Sequence, residues 1–210
     1  MLIITEAALI KMVAGAAAAV GKQALASFLK RQQEEGRAIL LHKISRTGDP
    51  WRAHEDAMAS MLMVYLRAVD EGVARDNLRL MAAALRNAGR SDEWAPDEFR
   101  RSARVLADLS REEILLIAGI IRIKRLPADD DERRGVFGQL RDEFCGAGGL
   151  LPDGNALSAT LGALARTGLV AAVSGFGGLD YAPTYLLDRI QQLVDIEAEL
   201  QDLEETSPSI

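Results

Sequence analysis

Cysteine, histidine and aromatic side chains are scarce in this chain of 210 residues: one Cys, two His, and aromatics at 5%. The lone Cys145 excludes an intrachain disulfide framework and agrees with a reducing, cytoplasmic setting. It stands beside Phe144, Gly146 and Ala147 with no basic run nearby, which predicts a buried structural thiol rather than a reactive one. His42 and His54 each lack a second histidine or cysteine at ligand spacing and read as helix-surface residues. Also missing are a Gly-x-Ser-x-Gly elbow and a phosphate loop. The glycines at 146–149 lack a Gly-Lys-Ser/Thr ending, and those at 175–178 precede no helix start. Asp129-Asp130-Asp131-Glu132 has no glycine-centred calcium spacing and reads as a solvated helix start. Tyr65 with Arg67, or Trp51 with Arg52, could line a pocket, although core or interface packing accounts for each. Nothing assembles acid, base and nucleophile, so the reading is non-enzymatic, with no catalytic residue, metal ligand or cofactor assigned.

A long apolar run is lacking too. Leu2 to Val20 is rich in small and apolar residues, but Glu6 and Lys11 interrupt it, and its longest uncharged run, Met12 to Gly21, is ten residues. That is too short to cross a bilayer, and the order of charge and apolar residues is wrong for a secretory signal. The stretch is expected to bury itself in the protein or an oligomer, with peripheral membrane contact the less favoured reading.

What is abundant is alanine and leucine, which lose little side-chain entropy in a helix, so the composition predicts a mainly α fold. A first helix is expected from Thr5, continuing amphipathically past Lys22, with Gly36 marking a bend and Thr47-Gly48 the end. Asp49-Pro50 should open a second helix that stops near Gly72. A third carries Leu78, Leu80, Met81 and Leu85 up to Asn87-Ala88-Gly89, and a fourth opens at Pro96-Asp97-Glu98. Short connections make these a compact bundle. Ser110-Arg111-Glu112-Glu113 is a capping box heading a helix that ends at Lys124-Arg125. A further helix, capped by Asp130 or Asp131, should span 132–145.

After Cys145 the texture changes to a glycine cluster, a short helix over 156–166, and two short strands, 169–173 and 179–182, around a glycine-rich turn. Leu164-Ala165-Arg166-Thr167-Gly168-Leu169-Val170, then that turn and Tyr181-Ala182-Pro183-Thr184, resembles the end of a recognition helix and a wing. Over 110–185 the order of elements resembles a winged-helix domain. The resemblance covers about a third of the chain and is of superfamily grade. It implies a helix for the DNA major groove, on which Asn155 and Arg166, helped by Arg133 and Arg134, would make the nucleic-acid contacts. The wing from Ser174 to Asp180 holds no Lys or Arg, however, so few residues could grip phosphates, and nucleic acid is not the favoured partner.

Net charge is −6, divided unevenly: residues 1–109 hold 16 cations against 14 carboxylates, residues 110–210 hold 9 against 17. Seven of the latter carboxylates fall in 186–210. There Leu186, Leu193 and Leu200 stand seven apart, with Ile196 and Leu203 at a three-residue offset, the pattern of an apolar seam on one long acidic helix. The seam is short for a self-sufficient coiled coil and suits packing onto the protein's own body as well as pairing with another chain. With Gly15, Ala18 and Ala19, which let another backbone come close, the favoured reading is a homodimer. The chain thus divides into a helical region (1–109), a winged-helix-like domain with a small β-hairpin (110–185), and an acidic C-terminal helix and tail (186–210). The functional expectation is a dimeric interaction or regulatory protein; the alternatives are a DNA-binding regulator and a membrane-associated effector using the apolar N-terminal helix.

Overall fold

The computed structural model describes residues 22–45, 54–91, 93–125, 135–175 and 178–206. They form a mainly α protein with one small antiparallel hairpin, as the Ala/Leu composition predicts. The expected helix start at Thr5, the Asp49-Pro50 cap and the acidic cap at 130–131 lie outside these residues.

Helix α1 (Lys22–Ser45) runs uninterrupted through Gly36, where a bend was expected. The glycine serves a helix crossing instead. A Cβ added there would sit 2.6 and 2.7 Å from the two methyls of Val69 on α2 (Glu55–Asp70), so only a bare Cα allows this approach. Tyr65, one turn away and fully buried, donates its hydroxyl to the Gly36 carbonyl at 2.8 Å. At the start of α2, His54 is the N-cap: the Asp56 amide donates to its Nδ1 at 3.4 Å.

Helix α3 (Arg75–Gly89) is the centre of the bundle. Its run Leu80 to Leu85 is buried, and alanines at 82–84 let neighbours approach from several sides. Helix α4 (Pro96–Asp108) starts on proline, whose missing N–H costs nothing in a first turn. The capping box forms as read: Glu113 donates its amide to Ser110 Oγ at 3.2 Å, and Ser110 donates its own to Glu113 Oε2 at 2.8 Å, heading α5 (Arg111–Arg125).

Helices α6 (Gly135–Phe144) and α7 (Gly154–Thr167) follow, then strands β1 (Val170–Gly175) and β2 (Gly178–Pro183), paired from Val170 opposite Pro183 to Gly175 opposite Gly178. The hairpin base is closed by Thr184, whose hydroxyl donates to the Gly168 carbonyl at 2.6 Å.

The single long C-terminal helix is corrected to two, α8 (Tyr185–Leu193) and α9 (Ile196–Thr206). Val194 is extended and buried, and Asp195 starts α9 by accepting from the Ala198 amide at 3.3 Å. Asn87 donates to the Leu193 carbonyl at 2.8 Å, satisfying an end that the break exposes. A single buried cluster runs from Ile39 through α3 and α5 to Ile196, crossing sequence positions 109/110 and 185/186. Among the described residues no helix is long and apolar enough to cross a membrane.

Candidate functional site

Two surfaces stand out. The first is the outer side of α7 with the hairpin. Asp153 caps α7 by accepting from the amides of Asn155 and Ala156, each at 2.9 Å. Asn155 is exposed at the start of the helix and Arg166 at its end, with small Ser158 and Ala159 exposed between them. On the hairpin, Leu179 and Val173 are solvent-facing, the former at 57%. Arg166 is the one cation on α7 and the two strands.

The aspartate that ends the turn has a structural task that the sequence hid. Asp180 accepts from the amides of Phe137 at 2.8 Å and Val136 at 3.3 Å, thereby capping α6 from the hairpin. Gly135 adopts φ +65 there, and a Cβ on it would lie 2.5 Å from Asp180 Oδ2. This carboxylate ties the hairpin to the preceding helix.

The second surface is an open cleft of about 460 Å³ between α2 and α4. Met63, Val64 and Arg67 form one wall, Arg100 and Arg104 the other, with Met81 of α3 at the floor. Met63 is 62% exposed although apolar. Arg100 donates to Asp97 at 3.0 Å, whereas Arg67 and Arg104 have no ion pair among the described residues. Sequence reasoning missed this site. Tyr65 and Arg67 were considered together, but they part company: Tyr65 enters the core and Arg67 the cleft. The available signal was that α4 carries Arg100 and Arg104 one turn apart, beside a methionine-rich helix.

The C-terminal seam is placed in the protein's own body. Leu193 and Ile196 are fully buried, and Leu186 and Leu200 are half-buried against the same core. These four are therefore occupied by intrachain packing. The backbone of Leu203 belongs to α9, while Gly15, Ala18, Ala19, Arg133 and Arg134, like Trp51 with Arg52 and the aspartates at 129–131, lie outside the described residues.

Among the described residues no three His, Cys, Asp or Glu side chains gather to hold a metal. Cys145 is half-buried rather than buried; burial and the neighbouring Asp153 push its thiol up, and it donates to the Asp153 carbonyl at 3.3 Å. Both effects disfavour the nucleophilic thiolate. No protein-family model, curated protein or solved structure matches the chain.

Proposed function

We propose that the chain is a non-enzymatic interaction protein with a regulatory role, acting as a homodimer through a winged-helix-like module built from α5 to α8. The order of elements supports the kinship: three helices, a hairpin directly after the third, then a further helix. The observation that carries the functional reading is the character of the α7–hairpin surface. A reader of DNA needs cations for phosphates and long polar side chains for base edges. Here exposed small residues, Val173 and Leu179 stand in their place, with Arg166 alone at one end. Such a surface buries against protein.

With the C-terminal seam occupied internally, the hairpin face is the dimer contact in this reading. Sedimentation equilibrium tests it. The full chain is expected to be dimeric, and V173D/L179D to be monomeric with an unchanged helical spectrum. A monomeric wild type removes the dimer. A salt-sensitive shift of random-sequence duplex at low ionic strength, lost on Arg166→Glu, replaces the reading with a DNA-binding regulator.

A further inference from the structure

We infer that the α2–α4 cleft is a docking groove for an acidic amphipathic helix of a partner protein, a contact separate from the hairpin face. Three observations converge on this. The lining positions 60, 63, 64, 67 and 68 of α2 and Glu71 at its C-cap recur at three- and four-residue spacing. They cover about 16 Å at 1.5 Å per residue, three turns of one helix face. A small molecule is normally enclosed by its pocket, whereas this cleft is half-open to solvent and lined along one helix face, a geometry on which a helix can lay down its apolar face. The apolar surface is also adaptable. Met63 is exposed on the wall and Met81 lies beneath, and thioether side chains repack readily around an incoming leucine.

Charge then selects the occupant. Arg67 rises from one wall and Arg100 and Arg104 from the other, so cations flank the apolar floor on both sides, with Glu71 the one carboxylate among the lining residues. The complement is a helix with leucine-like residues on one face and carboxylates on both flanks of it. Arginine suits such a role because its planar fork meets a carboxylate through two parallel hydrogen bonds.

The protein's own acidic helix is not that occupant. Helix α9 is held to the body by Lys43–Glu199 and by Arg125 with Glu197 at 3.0 Å. Arg79 lies in the field of Glu199, while Met81, two residues on and some 200° around α3, lines the cleft. Helix α9 and the cleft are thus on opposite sides of α3. Between copies, patches so placed would join chains head to tail into open strings rather than close a pair. A different protein fits the groove better.

The test uses fluorescence anisotropy on the full chain with a labelled synthetic helix: leucines at i, i+4 and i+7, glutamates on both flanks. Controls are the same peptide with lysines for glutamates, and a scrambled sequence. The acidic helix is expected to bind at least about tenfold more tightly than either control, with affinity falling as salt rises. R67E/R104E should lose that binding and gain affinity for the lysine peptide, and these exposed substitutions should leave the melting temperature near wild type. L179D should change nothing, which separates this groove from the hairpin contact. Equal binding of acidic and scrambled peptides overturns the inference, as does full retention of binding in R67E/R104E. Duplex DNA captured through the same arginines, with the acidic peptide ignored, overturns it as well.

Discussion

The side-chain amide of Asn77 donates to the carbonyls of Leu106 and Leu109, each at 2.7 Å, from inside the core of the bundle. One buried side chain on α3 therefore holds the turn where α4 ends and α5 begins. Those carbonyls belong to a helix end and have no intrahelical partners, so without Asn77 they are desolvated and unpaired. Asn77→Ala is expected to cost about 2–3 kcal/mol in chemical denaturation. Asn77→Asp should cost more at neutral pH, since a carboxylate would face two carbonyl oxygens. Its deficit should shrink as pH falls, because a protonated acid can donate to one of them. An Asn77→Asp variant as stable as Asn77→Ala across that range would show that the amide is not what pins the turn.

Among the described residues Tyr65 is the largest fully buried side chain, and its hydroxyl donates to the Gly36 carbonyl. Tyr65→Phe should destabilise the fold by about 1 kcal/mol at neutral pH, the net worth of one hydrogen bond. Burial also pushes the phenol well above its ordinary value of 10.0. A group raised in the folded state contributes its full share below the unfolded value and loses it above. The Tyr65 share is thus complete below pH 10.0 and declines as the unfolded chain ionises at higher pH. Urea melts of both proteins between neutral and strongly alkaline pH check this, and the gap between them should narrow or reverse on the alkaline limb.

Much of the helical skeleton could be read before any coordinates, because local chemistry decides it. Ser110 and Glu113 sit at the one spacing where each satisfies the other, and Pro96 heads its helix where its missing amide is harmless. The failures share a cause: they depend on what a residue meets across the fold. Gly36 suggests a bend in its helix, and its place against Val69 is not written near it in the chain. Leu193 and Ile196 keep a heptad offset in sequence, yet the break at Val194 turns them into the core. Asp180 sits on a short strand after a glycine-rich turn and says nothing of the α6 amides some 44 positions earlier. The cleft was least legible, since Arg67 and Arg104 lie far apart in the chain and neither is unusual on a helix surface. Only the packing of α2 beside α4 brings them to one groove.

Lys43 and Glu199 form an ion pair almost out of solvent, with side-chain exposures of 8% and 11%, linking α1 to α9. Removing either charge breaks the pair, but the two losses differ. Arg79 lies in the field of Glu199, and its own pKa is lowered by burial first and by Arg75 second. In Lys43→Met the carboxylate keeps Arg79 nearby, so the expected loss is about 1–2 kcal/mol. Glu199→Leu takes one carboxylate away from two cations at once, the buried Lys43 and Arg79, and should cost about 3 kcal/mol. The double variant K43M/E199L should recover much of that by packing alone. Thermal melts of the three proteins give the coupling, and strict additivity would mean the pair contributes nothing as a pair.

Asp180 should matter as much to α6 as to the hairpin that carries it. Its two oxygens take the amides of Val136 and Phe137, and a carboxylate there also complements the positive end of the helix. Asp180→Ala should therefore cost about 1–2 kcal/mol, the usual loss of an N-cap, and Asp180→Asn distinctly less, because an amide oxygen can still accept. The more telling signal is local. In Asp180→Ala the amides of Val136 and Phe137 should exchange with solvent faster, while those of the Ser110-capped helix α5 keep their protection. Gly135→Ala attacks the same joint from the other side, bringing a methyl 2.5 Å from Asp180 Oδ2 at a backbone angle of φ +65. Because that angle is costly for alanine whatever its neighbours, G135A/D180A should relieve only the contact and stay less stable than Asp180→Ala alone. If α6 exchange were unaltered in all three variants, the hairpin would not be tied to the helix, and the rigid presentation of Val173 and Leu179 would lose its support.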